Sequence, residues 1–104
     1  SREDVSARDK VFLHPKLAAR IPAYLHNCRQ GVIEMREALD RIDFDVVTTL
    51  SHKMRGSGGA YGFQPITDIG AALELAAATA DEPSSRRSLV ELSSYLDRLD
   101  IAPV

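Results

Sequence analysis

The sequence predicts an all-α protein, an antiparallel four-helix bundle with a short extra helix at its N-terminal end. Apolar residues recur every three or four positions along four successive segments, and turn-forming residues separate those segments. No segment carries the alternating β-branched pattern of a strand. Because each amphipathic helix must bury its apolar stripe, four helices joined by short loops favour antiparallel packing. The 104 residues are enough for one such domain.

The N-terminal part of the chain is predicted to contain a tail, a short helix and the first long helix. Residues 1–13 are predicted to be a tail or linker, and residues 14–104 to form the bundle. The segment from His14 to Arg20 is predicted to be a short capping helix. In the first long helix Pro22 lies near the start, where a missing amide is tolerated. Its stripe, spaced by four and three residues in alternation, is Ile21, Leu25, Cys28, Val32, Met35, Leu39 and Ile42.

Three further helices follow. The second is predicted from about Phe44 to Gly62, with Asp43 as its N-cap. The third begins near Pro65, since proline suits a first helical turn. The fourth follows a break at residues 81–84. The stripes of these helices are Val47, Leu50, Met54 and Tyr61; Ile66, Ile69, Leu73, Ala76, Ala77 and Ala80; and Leu89, Leu92, Leu96 and Leu99.

Composition narrows the classes of function. No apolar run approaches the roughly 20 residues that a membrane-spanning helix needs, so we expect no membrane association. A formal net charge of −2 gives no support for nucleic-acid binding. The single cysteine, Cys28, cannot form an internal disulfide, which fits a reducing compartment. We therefore expect a cytoplasmic protein, and a monomer because four helices can bury all the stripes within one chain.

The second helix contains a histidine that its own periodicity places on the surface. His52 lies two positions from both Leu50 and Met54, which belong to the apolar stripe. At ~100° per residue, two positions turn a side chain to the opposite side of the helix. We therefore expect His52 to face solvent.

Three glycines follow this histidine and weaken the helix. Glycine costs about 1 kcal/mol relative to alanine inside a helix, and such a departure in a well-patterned element is typical of a functional site. We expect Gly56 and Gly59 to leave the surface beside the imidazole bare for another protein, whereas Gly58 points towards the core and permits close packing. The alternative is that the glycines form a loop and end the helix near Arg55.

The residues around this histidine resemble a known motif. Histidine-containing phosphotransfer (HPt) domains carry, within a bundle helix, His, any residue, an apolar residue, Lys or Arg, Gly and Ser, with another Gly about five residues later. This chain matches that motif with His52-Lys53-Met54-Arg55-Gly56-Ser57 and then Gly62. The resemblance covers roughly residues 14–100, including Phe63, Ile66, Ile69 and Leu73-Glu74 in the next helix. Lysine is commoner than arginine at position 55, and Arg binds phosphate as a fork.

This resemblance implies a phosphorelay intermediate of a two-component signalling system. His52 would accept a phosphoryl group from a receiver-domain phospho-aspartate, or from a hybrid sensor histidine kinase, and pass it to another receiver. The chain itself would bind no cofactor or metal, because Mg²⁺ is expected on the partner receiver. It would be a phosphohistidine carrier without independent catalytic activity, and no Gly-x-x-x-x-Gly-Lys-Ser/Thr pattern for nucleotide binding is present.

Further residues receive expected roles from the same resemblance and from helical spacing. Arg55 and Lys53 would offset the charge of the phosphoryl group. Thr48 and Thr49 would join Gly56 and Gly59 in the partner-facing surface. We expect structural roles for Ser57, which would bond to a carbonyl one turn earlier, and for Gly58 and Gly62.

Two other functions are alternatives to the phosphorelay interpretation. A degenerate HPt-like scaffold would bind a receiver or kinase without accepting phosphate, although the nucleophile and its neighbouring cation favour transfer. A metal site would use His14, His26 or His52, but the chain has no His-x-x-x-His or Glu-x-x-His pair, as metal sites in helical bundles usually have. No metal site is predicted.

Overall fold

A computed structural model describes residues 15–99 as a bundle of four helices. These are α1 (Pro15–Asp40), α2 (Phe44–Ser57), α3 (Gln64–Ala78) and α4 (Glu82–Arg98), with a 3-10 turn at Gly59–Tyr61. Each helix packs against its neighbours in the chain, and α4 also packs against α1. Only three residues connect α1 to α2 and α3 to α4, so the connected helices run antiparallel. The predicted all-α four-helix bundle is confirmed.

The predicted short N-terminal helix is not a separate element. Residues 15–20 form the first turns of α1, whereas His14, residues 1–13 and residues 100–104 lie outside the described part of the chain. Pro22 lies inside α1 rather than at its start, and it leaves the carbonyl of Ala18 without a helical donor. Because both residues are exposed, water can reach that carbonyl. The 26 residues of α1 span about 39 Å, more than any other helix.

The core consists of the predicted stripes. Residues from all four helices bury their side chains in one cluster, and the most completely enclosed large ones are Met35, Leu39, Ile66, Leu73, Leu92 and Leu96. Their spacing of three and four residues is what the sequence periodicity predicts. Burying such side chains contributes about 1.5–3 kcal/mol each before conformational entropy is counted.

Two stripe residues, Ile42 and Ala80, are exposed instead of buried. The prediction was wrong for them because α1 ends at Asp40 and α3 at Ala78, before either residue is reached. Both adopt left-handed backbone conformations, with φ of 57° and 54°, and in each case the next residue is an aspartate that N-caps the following helix. A glycine usually supplies this conformation after a helix.

The end of α2 differs from both sequence-based alternatives. The helix continues through Gly56, so it is not cut near Arg55, but it ends at Ser57 rather than near Gly62. The hydroxyl of Thr67, from α3, donates to the carbonyl of Arg55 (2.9 Å) and accepts from the amide of Gly59 (2.7 Å). In a continuing α-helix those two backbone groups would bond to each other. The inserted hydroxyl explains why the helix ends.

Beyond α2 the backbone forms the 3-10 turn and closes it at Gly62, whose φ of 91° is the left-handed conformation that glycine adopts freely. Tyr61 is half-buried and stacks on Tyr24 of α1, with ring centroids 4.2 Å apart. The Tyr24 hydroxyl hydrogen-bonds to the hydroxyl of Ser57 at 2.8 Å. Ser57 therefore ties α2 to α1, and not to a carbonyl one turn earlier. Burial raises the pKa of Tyr24 well above its ordinary value, so its hydroxyl stays protonated.

Candidate functional site

His52 lies in the second half of α2 with its side chain 60% exposed. The residue before it, Ser51, is fully buried, and Met54 two positions later belongs to the core. The core contacts therefore fix the rotation of α2 so that the imidazole leaves the bundle. The predicted solvent-facing orientation of His52 is confirmed.

The imidazole is held on one side by a carboxylate from α3. His52 Nδ1 lies 2.8 Å from Glu74 Oε2, and the Glu74 side chain is only 20% exposed. The Arg55 guanidinium completes the group, with Nη1 3.1 Å from Glu74 Oε1 and Nη2 3.3 Å from His52 Nδ1. Glu74 Oε1 is enclosed but not aligned for a hydrogen bond with the guanidinium, so that contact is an ion pair at short range.

This geometry selects one tautomer of His52. A carboxylate only accepts hydrogen bonds, so the 2.8 Å contact requires the proton on Nδ1. The nearby Arg55 nitrogen is also a donor, and it cannot form a hydrogen bond to a protonated Nδ1. With the proton on Nδ1, the lone pair of the neutral ring lies on Nε2. Nε2, the nitrogen that carries this lone pair, makes no hydrogen bond within residues 15–99.

Two glycines between α2 and α3, Gly70 of α3 and Gly58 just after α2, let the two helices approach closely. A Cβ on Gly70 of α3 would lie 2.9 Å from the Arg55 amide nitrogen and 3.1 Å from the Ser51 carbonyl oxygen. A Cβ on Gly58 would lie 2.6 Å from the amide nitrogen of Thr67. Because these neighbours are backbone atoms, they cannot move aside as a side chain would. The close approach brings Glu74, one turn beyond Gly70, to the imidazole.

The two glycines expected to clear the surface differ in their surroundings. A Cβ on Gly56 would meet no atom of the described residues within 4 Å, so packing within that part of the chain does not require a glycine there. A Cβ on Gly59 would lie 2.9 Å from Gln64 Oε1 and 3.5 Å from Thr67 Oγ1. Both residues are exposed, but the side-chain space of Gly59 is occupied by α3, whereas that of Gly56 is open.

The other candidate residues surround His52 on α2. Lys53 is exposed and lines a groove between α1 and α2, on the side of the helix away from Glu74, and within residues 15–99 its ammonium forms no hydrogen bond or ion pair. Thr49 is exposed one turn before the histidine. Thr48 is half-buried, and its hydroxyl donates to the carbonyl of Phe44 at 2.8 Å.

The sequence analysis gave no role to three residues of α3 that hold the site, although Glu74 belongs to the stretch that resembles the HPt motif. Thr67, Gly70 and Glu74 share one helix face at spacings of three and four, next to the apolar stripe. Gly70 is an interior helix glycine like Gly56, and the argument applied to Gly56 would have singled it out. Glu74 carried no signal by itself, because its partner lies 22 positions away in sequence.

The family model described as Hpt domain matches residues 21–102. No curated protein and no solved structure matches the chain. Within the described residues, no three His, Cys, Asp or Glu side chains form a group that could hold a metal ion. Over the same residues, no helix has the combined length and apolar character needed to cross a membrane.

Proposed function

The chain belongs to the HPt domain family of two-component phosphorelays, and we propose that His52 is the residue that carries the phosphoryl group. Members of this family are phosphocarrier modules that interact with receiver domains and kinases. We propose that this chain accepts the group from a receiver phospho-aspartate or a hybrid sensor kinase and passes it to another receiver. The observation that carries the proposal is an exposed imidazole whose Nδ1 is held by Glu74 beside a glycine with open space around it.

The proposed transfer uses the lone pair of His52 Nε2. Nε2 attacks the phosphorus of the phospho-aspartate in line, an N–P bond forms, and the P–O bond breaks so that the aspartate carboxylate leaves with its electron pair. Nδ1 keeps its proton, so the phosphorylated ring carries a positive charge. Glu74, 2.8 Å from Nδ1, stabilises that charge and keeps the ring oriented. The reverse reaction delivers the phosphoryl group to the second receiver.

Two cations are available to the phosphoryl group. A phosphoryl group adds about −1.5 to −2 charges at neutral pH, and the Arg55 guanidinium lies 3.3 Å from the ring. Arg55 is 47% exposed, so its guanidinium can turn towards a group on Nε2. Lys53, on the other side of His52 and without a partner within residues 15–99, would add a second positive charge.

A receiver would approach over Gly56, because this is the position beside His52 where no atom of residues 15–99 occupies the side-chain space. Thr49 would lie at the edge of that contact, with Thr48 and Gly59 contributing mainly through their backbone. The receiver would bring the Mg²⁺, and this chain would need no cofactor. The proposal includes a cytoplasmic monomer, supported by the free, buried Cys28 and by helices that bury one another's stripes.

The test is phosphoryl transfer from a radiolabelled, phosphorylated receiver to the chain. We expect acid-labile, alkali-stable label on the wild-type protein and none on His52→Gln. His26→Gln is the matched control, because His26 is an exposed histidine of α1 outside the site, and it should accept label normally. Label that persists on His52→Gln would refute the assignment. A receiver that binds the wild-type chain without transferring label would instead favour a scaffold.

A further inference from the structure

The hydroxyl of Thr67, on α3, bonds to two backbone groups at the end of α2. It lies between the Arg55 carbonyl of α2 and the Gly59 amide of the following 3-10 turn, and it bonds to both, at 2.9 and 2.7 Å. Within residues 15–99, no other side chain of α3 hydrogen-bonds to backbone at the end of α2. This side chain therefore attaches α3 to the backbone at the end of α2, starting at Arg55, three residues after His52.

Thr67 is the first of three successive contacts along one face of α3. One turn later, Gly70 lies against the backbone of Ser51 and Arg55. One further turn on, Glu74 binds the imidazole. These contacts follow one another at helical spacing, so the position of Glu74 relative to His52 depends on how deeply, and in which register, α3 lies against α2.

Removing the Thr67 hydroxyl would allow a different hydrogen bond in the backbone at the end of α2. Without it, the Gly59 amide and the Arg55 carbonyl would be free to form the ordinary α-helical bond. Helix α2 would then extend into the 3-10 turn and displace Gly58, which lies against the amide nitrogen of Thr67. That displacement would move the start of α3 and shift Glu74 with it.

We propose that Thr67 is a positioning residue for phosphotransfer, one that acts through α3 to keep Glu74 on Nδ1 of His52. This inference rests on the proposed function of His52. Thr67 does not touch the phosphoryl group, and its contribution is the tautomer and orientation of the ring. A shift of about 1 Å in a reacting group can cost up to two orders of magnitude in rate, so the loss of the hydroxyl should be measurable.

The experiment compares Thr67→Val, which keeps the shape and removes the hydroxyl, with Thr67→Ser, which keeps the hydroxyl. Thr79→Val is the matched control, because the Thr79 hydroxyl also bonds to carbonyls, those of Leu75 and Ala76, but at the far end of α3. Each variant is measured for the ¹⁵N shifts of the His52 ring, the hydrogen exchange of the Gly59 amide, the rate of label transfer and the midpoint of urea unfolding.

We expect Thr67→Val to lower the Nδ1–H fraction of His52 and to slow transfer about tenfold, while Thr67→Ser and Thr79→Val stay close to wild type. Unchanged ring shifts and transfer rate in folded Thr67→Val would overturn the inference, even if its stability fell. If that variant does not fold, Thr67→Ala removes the hydroxyl without adding bulk and is judged by the same readouts. If the wild-type chain takes no label on His52, the proposed function fails, and the ring shifts still decide whether Thr67 positions the imidazole.

Discussion

The glycines on the two sides of α2 near His52 have opposite surroundings. On the outer side, Gly56 has no atom within 4 Å of where its side chain would be. On the inner side, Gly58 and Gly70 lie so close to backbone atoms of the facing segment that a Cβ on either residue would clash with them. Gly56 of α2 and Gly70 of α3 are interior helix glycines, and each costs about 1 kcal/mol of helix stability relative to alanine. Of these two, only Gly70 offsets that cost through close packing within the described residues.

The inner and outer glycines therefore need different explanations. The inner glycines are explained by the folded chain, because they let Glu74 reach the ring. The outer glycine has no such explanation within residues 15–99, which supports the proposal that another molecule approaches His52 from solvent over it. The imidazole lies between the two regions, with one nitrogen fixed by the inner side and the other available on the outer side.

The largest effect on stability should come from Gly70→Ala. The added methyl would lie 2.9 Å from the Arg55 amide nitrogen and force the helices apart, and overpacking of this kind costs about 1–3 kcal/mol. We expect a free energy of unfolding about 2 kcal/mol lower by urea denaturation, together with slower transfer. Gly56→Ala is the matched control. A Gly70→Ala protein with wild-type stability would show that the inner side is less tightly packed than described.

The next effect concerns the carboxylate that fixes the ring. Glu74→Gln keeps the size of the side chain but removes its charge and lets the amide donate as well as accept. We expect transfer to slow about tenfold, equivalent to about 1.4 kcal/mol in the barrier. Glu82→Gln is the control, because Glu82 pairs with Arg86 at the surface far from His52. Equal transfer rates in the two variants would show that the Glu74 carboxylate does not contribute to transfer.

Substitutions of Gly56 should change protein stability and the rate of transfer in different ways. Gly56→Ala places a methyl in open space, so we expect about 0.5–1 kcal/mol of added stability by urea denaturation. Gly56→Leu should also fold, but its larger side chain would obstruct a docking receiver and slow transfer. A leucine variant that transfers at the wild-type rate would contradict the docking argument.

The smallest effect is expected at Arg55. Its guanidinium is half exposed, and exposed ion pairs contribute little in water. Arg55→Gln should slow transfer about threefold, with an effect that shrinks as salt is added. Arg87→Gln, on the exposed face of α4, is the matched control. A loss as large as that of His52→Gln would mean that Arg55 has a direct part in the chemistry.

Periodicity predicted much of this molecule because it is a local property. The four helices, their buried stripes and the exposed position of His52 all follow from spacings of three and four residues. The same reasoning failed at Ile42, because this residue continues the stripe in the sequence but lies two residues beyond the end of α1 at Asp40. Helix ends depend on capping contacts that hydrophobic spacing does not describe.

The remaining features depend on contacts between distant residues. The end of α2 is set by the hydroxyl of Thr67, which follows Arg55 by 12 positions. The tautomer of His52 is set by Glu74, and no local pattern around the histidine indicates that partner. Such pairings depend on the register between α2 and α3, which the fold determines and a single helix does not.

The most direct test of the central claim is to locate the phosphorus atom on the ring. Phosphorylated, ¹⁵N-histidine-labelled protein can be examined by NMR for the one-bond coupling between phosphorus and nitrogen. The account predicts that the coupled nitrogen is Nε2 of His52, with the proton retained on Nδ1 opposite Glu74. Coupling to Nδ1, or to a nitrogen of another histidine, would contradict it.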